Sequence, residues 1–177
     1  MRDHSRTTEL NPQRDTWLRL SDADLLAECR QERYKASGPG GQHRNKVETA
    51  VRLHHIPTGL MAQAEESRSL EENRLRALRR LRERIAHEVR SFFDLDKPDL
   101  PAEFVAYRTA KGALSINQEN PVYSLIVATV LDAFEAAEGS YARAARALGL
   151  TTSQLLHFLR SDPHIWRAIA AYRHVGK

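Results

Sequence analysis

The sequence predicts an α+β fold: a small mixed sheet carrying a Gly-Gly-Gln loop and one long packed helix, followed by an all-helical module. Three observations predict it. Residues 50–64 alternate apolar and polar around a Pro-Thr-Gly turn. Residues 69–93 repeat apolar side chains at steps of three and four. Beyond residue 120 the chain is divided by Asn-Pro, Gly and Asp-Pro breaks into helical patterns with no further alternation.

In chain order, residues 1–20 are polar and aperiodic and are read as a disordered lead-in. Ser21 is an N-cap with Asp24 as its reciprocal partner, opening a short helix through Leu25, Leu26 and Cys29. Arg33-Tyr34-Lys35-Ala36 reads as a short strand that enters a loop dense in turn formers, Ser37 to Gln42. Asn45 to Ala50 has room for a helical turn or two. Ala50 to Ile56 and Leu60 to Ala64 form a hairpin about Pro57-Thr58-Gly59. The long helix runs from Ser69, paired with Glu72, to Phe93. It buries Leu75, Leu78, Leu81, Ile85, Val89 and Phe92 and leaves Arg74, Arg76, Arg79, Arg80, Arg82, Arg84 and Arg90 on its surface. Residues 96–119 are read as a linker. In the helical module, residues 120–177, Asn120-Pro121 caps a helix burying Val122, Ile126, Val130 and Phe134 that stops at Gly139. Ser140 to Leu148 is a short helix ended by Gly149, Thr152 or Ser153 caps the next, and Asp162-Pro163 starts the last. The division is thus 1–20, 21–95, 96–119 and 120–177.

Composition removes several function classes. With 41% hydrophobic and 28% charged residues in 177, the chain has enough apolar side chains for a core. No apolar run approaches the ~18 residues that span a bilayer, so no membrane partner is expected. A single cysteine, Cys29, excludes an internal disulfide and is read as core, and no set of ligands at metal-binding spacing is present. No cofactor is expected. The N-terminus has acidic residues and no apolar run, which suits a cytoplasmic protein. The net charge of +4 is concentrated: residues 1–34 are net −1, 35–95 net +4 and 96–177 net +1. A basic middle third suits a polyanionic partner such as nucleic acid, and it also suits a solvated Arg-rich helix.

The chemistry points to Gly38-Pro39-Gly40-Gly41-Gln42. Adjacent glycines permit positive φ and let another molecule approach the backbone, whose N–H groups are then free to meet an anion or a developing oxyanion. No Gly-Lys-Ser/Thr follows, so this is not a nucleotide P-loop, and the third glycine of a dinucleotide fingerprint is missing. Gln42 is not a general base, because an amide does not titrate in this range.

The run Lys35 to Lys46, followed by Ala50-Val51-Arg52-Leu53, His55 to Leu60, Gln63, Glu66-Ser67-Arg68-Ser69 and Asn73, closely resembles the peptidyl-tRNA hydrolase domain of class I peptide chain release factors. The resemblance covers about residues 33–93. It implies a Gly40-Gly41-Gln42 loop that enters the ribosomal peptidyl transferase centre of the large subunit and promotes hydrolysis of the peptidyl-tRNA ester. The backbone N–H of Gln42 would face the oxyanion, and its side chain would place or exclude water. His43 is not needed as a base, since relatives carry Asn there. Arg44, Lys46, Arg52 and Arg68 would contact phosphates of rRNA or tRNA.

Only 34 residues include and precede Tyr34, too few for a stop-codon-reading domain, so a stand-alone hydrolase that rescues stalled ribosomes without reading a codon is expected. Such relatives generally carry a basic flexible tail, and residues 96–177 do not have that character. Instead, Ala142 to Leu150 followed by Thr151 to Leu155 resembles a helix-turn-helix. One reading places Thr152, Ser153, Gln154 and His157 against a nucleic-acid groove, with Arg160 as the only fixed positive charge on that helix. The other makes residues 120–177 a bundle that docks on a protein partner. The alternatives to a hydrolase are a non-catalytic ribosome-binding or regulatory factor and a DNA-binding regulator.

Overall fold

The computed structural model describes residues 10–35 and 48–172. It is α+β, with one three-stranded sheet and eight helices among the described residues. The sheet is antiparallel throughout, where a mixed sheet was expected. The chain divides into two compact units, Thr16–Ile85 and a second made of Ala86 onward together with the residues up to Asp15.

The first unit opens with α1 (Arg14–Arg19), which begins before the boundary, and α2 (Asp22–Ala27). The expectation of disorder through residue 20 is therefore corrected for residues 10–20. Trp17 and Leu18 are buried, and two large apolar side chains are enough to fold a short helix onto a core. Ser21 caps α2 as read: the Asp24 N–H donates to Ser21 Oγ at 3.2 Å, and Ser21 Oγ donates to Asp24 Oδ2 at 2.7 Å. β1 (Cys29–Tyr34) starts four residues earlier than its sequence suggests. Its six residues include only two apolar or aromatic side chains, and its pairing with β2 makes it a strand.

β2 (Ala50–His55) and β3 (Met61–Ala64) form the expected hairpin. Alternation sends Val51, Leu53 and His55 inward with Ala62 and Ala64, while Arg52, His54, Met61 and Gln63 take the other face. α3 (Leu70–Glu88) follows. Ser69 Oγ accepts from the Glu72 N–H at 3.3 Å, but the Glu72 carboxylate binds Ser67 Oγ at 2.6 Å. The buried stripe is Asn73, Ala77, Leu78, Leu81, Arg82, Ile85 and Ala86, rotated from the one read in the sequence. Leu75 is 47% and Phe92 74% exposed. The helix stops at Glu88, short of Phe93, and Arg90 makes an isolated parallel bridge to Leu10.

In the second unit, the stretch read as a linker folds. α4 (Ala102–Ala106) buries Phe104, and a turn with a bridge between Arg108 and Leu114 buries Leu114. α5 (Tyr123–Ala136) is buried at every position from Tyr123 to Phe134, which makes it the central helix of this unit. α6 (Tyr141–Ala147), α7 (Thr152–Ser161) and α8 (Pro163–Tyr172) surround it in a core that includes Phe104, Val130, Phe134, Leu148, Leu155, Leu159 and Ile165. The cap of α7 is Thr151, not Thr152 or Ser153. Asp132, in the middle of α5, is buried between Arg14 (2.5 Å) and Arg90 (3.2 Å) and also accepts from the Ser91 N–H at 3.2 Å.

Candidate functional site

Gly40, Gly41, Gln42, Arg44 and Lys46, with His43 and the helical turns read from Asn45, lie outside the described residues. What the structure describes is the frame from which that segment departs. Tyr34 closes β1 and Ala50 opens β2, and the two are paired in register, so residues 35–49 connect adjacent antiparallel strands at one end of the sheet.

That end is fastened by Asn73, which is completely buried on the first turn of α3. Its Nδ2 donates to the Thr49 carbonyl at 2.7 Å and to the Ser67 carbonyl at 2.8 Å. Its Oδ1 accepts from the Ser67 N–H at 2.9 Å. One amide thus ties the returning limb of the loop to the segment between β3 and α3. Amide is the fitting chemistry, because it alone among uncharged side chains of this size offers two donors and an acceptor in one plane. The resemblance includes Asn73, but nothing in the sequence assigns it this role. The available signal is a polar residue in register with the stripe Ala77, Leu81 and Ile85.

Arg68 follows Ser67 directly, so the Asn73 clamp holds it at the loop base. It is exposed and makes no ion pair or side-chain hydrogen bond among the described residues. Arg52 is differently placed. It lies on the outward face of β2, its guanidinium 5.1 Å from the centre of the Tyr34 ring, its Nε 3.3 Å from Gln63 Oε1 and its Nη1 3.7 Å from Glu32. Tyr34 in turn donates to Glu65 Oε2 at 3.2 Å, and burial followed by Glu65 pushes its phenol above the ordinary range. Arg52 and Arg68 thus belong to the same end of the sheet, but only Arg68 has its guanidinium uncommitted.

The α3 arginines are less available than their sequence suggests. Arg80 donates to the Gln63 carbonyl at 2.6 Å and pairs with Glu66 at 2.5 Å, holding that carboxyl below its usual range. Arg84 donates to the Met61 carbonyl. Arg82 is buried and binds the Leu18 carbonyl at 3.4 Å, the Leu20 carbonyl at 2.8 Å and Asp22 at 2.9 Å. Arg90, also read as a surface residue, is buried against Asp132. Arg80, Arg82 and Arg84 brace the frame and Arg90 is buried within its own unit, which corrects the picture of a fully solvated basic face.

Cys29 and His55 hold structural places in this frame. Burial and then Glu28 raise the Cys29 thiol to about 11, and its sulfur donates to the Leu25 carbonyl. The buried His55 sits edge-on to Trp17 with ring centres 5.1 Å apart, its Nδ1 2.8 Å from Thr58 Oγ1 and its Nε2 3.4 Å from Glu28. Burial lowers its pKa, and it serves the hairpin turn. Among the described residues no three His, Cys, Asp or Glu cluster to hold a metal ion, and no helix is long and apolar enough to cross a membrane.

Comparison with known proteins accounts for this frame. The family model of the RF-1 domain matches residues 24–99, a span that takes in the sheet, the Gly-Gly-Gln segment and α3. The chain carries a class I release factor family domain. The chain is 50% identical over 66 positions to peptide chain release factor 1 of Leptothrix cholodnii, covering 35% of this chain and 18% of that protein. It is 51% identical over 65 positions to peptide chain release factor 2 of Variovorax paradoxus, covering 36% and 18%. Peptide chain release factor 1 of Acidiphilium cryptum is 42% identical over 77 positions, covering 44% and 21%. The chain thus spans about a fifth of the length of these relatives.

Proposed function

We propose that this protein hydrolyses the ester joining a nascent peptide to tRNA on the ribosome, and that it does so without reading a codon, as a rescue factor for stalled ribosomes. The observation that carries the reading is the match of the release factor domain across Gly40-Gly41-Gln42. The Asn73-fastened loop base supports it, because a loop that works inside another molecule's active centre needs a fixed root.

In this reaction the oxygen of a water attacks the ester carbonyl carbon. The bond from that carbon to the ribose oxygen of tRNA breaks, the peptide leaves as a carboxylic acid, and the ribose hydroxyl takes the proton. Gly40 and Gly41 allow the backbone turn that aims the Gln42 N–H at the tetrahedral oxyanion, a donor of the kind worth about 10²–10³ in rate. The Gln42 side chain places the water. Arg44, Lys46 and Arg68 hold RNA phosphates around the loop, and Arg52 orders its root through Tyr34 and Gln63.

The test is peptide release from ribosomes that hold peptidyl-tRNA on a message ending in the P site. Release by the wild-type protein that is lost in Gln42→Ala is expected. Ribosome association without release would overturn the catalytic reading and identify a non-catalytic ribosome-binding factor.

A further inference from the structure

The second unit carries a segregated charge surface that the sequence does not display. From Phe104 to Gln118, and again from Gly139 to Ser161, there is no Asp or Glu. The fold brings these two stretches together at the turn between α6 and α7. The Gln154 Nε2 donates to the Lys111 carbonyl at 2.8 Å, and the Arg108 guanidinium lies directly against Gly149. Gly149 has φ +62, and a Cβ there would collide with that guanidinium, so the turn is built around the contact. Arg146 is exposed on the adjoining end of α6, its carbonyl accepting from the Gly149 N–H at 3.0 Å.

Arg108 is half-buried over the Phe104 ring at 5.6 Å, and its Nε and Nη2 are buried without a hydrogen-bond partner, so it adds positive charge beneath the turn. Among the described residues it forms no ion pair. Along α7, Ser153, His157 and Arg160 fall at steps of four and three and are exposed with Thr152, while Leu155, Phe158 and Leu159 are buried. Arg160 stacks over Trp166 at 5.4 Å, which leaves its charge unneutralised. Arg160 is the one fixed positive charge of α7, as its sequence reads, and Lys111 and Arg146 add exposed charge from the segments that meet the start of that helix.

We propose that the α6–α7 turn and the exposed face of α7 form a second RNA-binding surface, in which Lys111, Arg146 and Arg160 hold the phosphodiester backbone of double-helical RNA. The side chains specify a backbone reader. Gln154, the one amide placed to read a base, is engaged with the Thr151 N–H at 2.9 Å and the Lys111 carbonyl, and so is withdrawn from readout. The Thr152 and Ser153 hydroxyls match the donor–acceptor character of ribose 2′-hydroxyls, which line the wide minor groove of an A-form helix. The surface stands on this geometry alone, and the choice of RNA also rests on the proposed ribosomal role.

The experiment measures binding of the full-length protein to an RNA duplex and to a DNA duplex of the same sequence by fluorescence anisotropy between 50 and 200 mM salt. Wild type is compared with Lys111→Gln/Arg146→Gln/Arg160→Gln, all at exposed positions, and with Gln42→Ala. We expect the triple variant to keep its unfolding midpoint, to lose at least about tenfold in RNA affinity, and to show a log–log salt slope smaller by about 3. Gln42→Ala is expected to bind as wild type does, which separates this surface from the release reaction. Unchanged RNA binding by the folded triple variant, or tighter binding of the DNA duplex, overturns the proposal.

Discussion

Replacing Asn73 by alanine tests the frame of the release factor domain at its most specific point. The substitution removes three hydrogen bonds, to Thr49 and twice to Ser67, from a side chain with no exposed surface. Each is worth about 0.5–1.5 kcal/mol net, and because Thr49 and Ser67 are themselves only partly buried, water restores some of what is lost. A cost of about 2–3 kcal/mol follows. In urea denaturation, with a slope near 2 kcal/mol per molar, this lowers the midpoint by about 1–1.5 M without changing the slope. Asn73→Asp is at least as costly near neutral pH. It retains the acceptor for the Ser67 N–H but turns a carboxylate oxygen toward two carbonyls that the amide nitrogen now approaches at 2.7 and 2.8 Å. A midpoint shift below about 0.3 M for Asn73→Ala, or an aspartate variant as stable as wild type, would refute the clamp.

Three further outcomes are expected. Asp132→Ala removes the carboxylate shared by two buried guanidinium groups, which keep Asp15 and the Ala86 carbonyl as partners, and costs about 1.5–3 kcal/mol, read as a loss of unfolding free energy. Arg82→Ala frees the Leu18 and Leu20 carbonyls and Asp22, costs about 1–3 kcal/mol, and brings Trp17 fluorescence toward that of an exposed indole at lower denaturant. Stability falls on acidification below about pH 6.5. Burial lowers the pKa of His55, against Glu28, and that of His87, against Asp162 and with help from Arg90. The unfolded chain therefore takes up protons that the folded chain refuses, with a slope of at most about 1.4 kcal/mol per pH unit for each histidine. Urea midpoints from pH 7.5 to 5.5 measure it, and His55→Gln removes the first contribution.

Local patterns carried most of the architecture into the sequence. The β2–β3 hairpin needs only alternation and a turn, and the Ser21 and Asp162 caps need only neighbours within three residues. Failures of sequence reading fall where partners are distant or identities ambiguous. Trp17-Leu18, in a polar stretch, fold only because a core exists for them. β1 is a strand by virtue of its partner. Arg14 and Arg90 carry the same letter as solvated arginines, and only the fold sets them 2.5 and 3.2 Å from Asp132, an acid 118 residues from Arg14. At the candidate site, the Gly-Gly-Gln motif and its family resemblance were legible. The Asn73 clamp and the engagement of Arg80 and Arg84 were not, since hydrogen bonds to backbone carbonyls leave no spacing rule behind, nor was that of Arg52 with side chains of neighbouring strands.

The central claim concerns chemistry at Gly40-Gly41-Gln42, and a single-turnover release assay reaches it most directly. Ribosomes holding a radiolabelled nascent chain on a truncated message are mixed with the purified protein, and free peptide is counted. The account predicts rapid release by wild type and, for Gln42→Ala and Gly41→Ala, rates lower by about 10²-fold or more with unfolding midpoints unchanged. Peptide that stays on tRNA with the wild-type protein, or is freed equally by both variants, contradicts it.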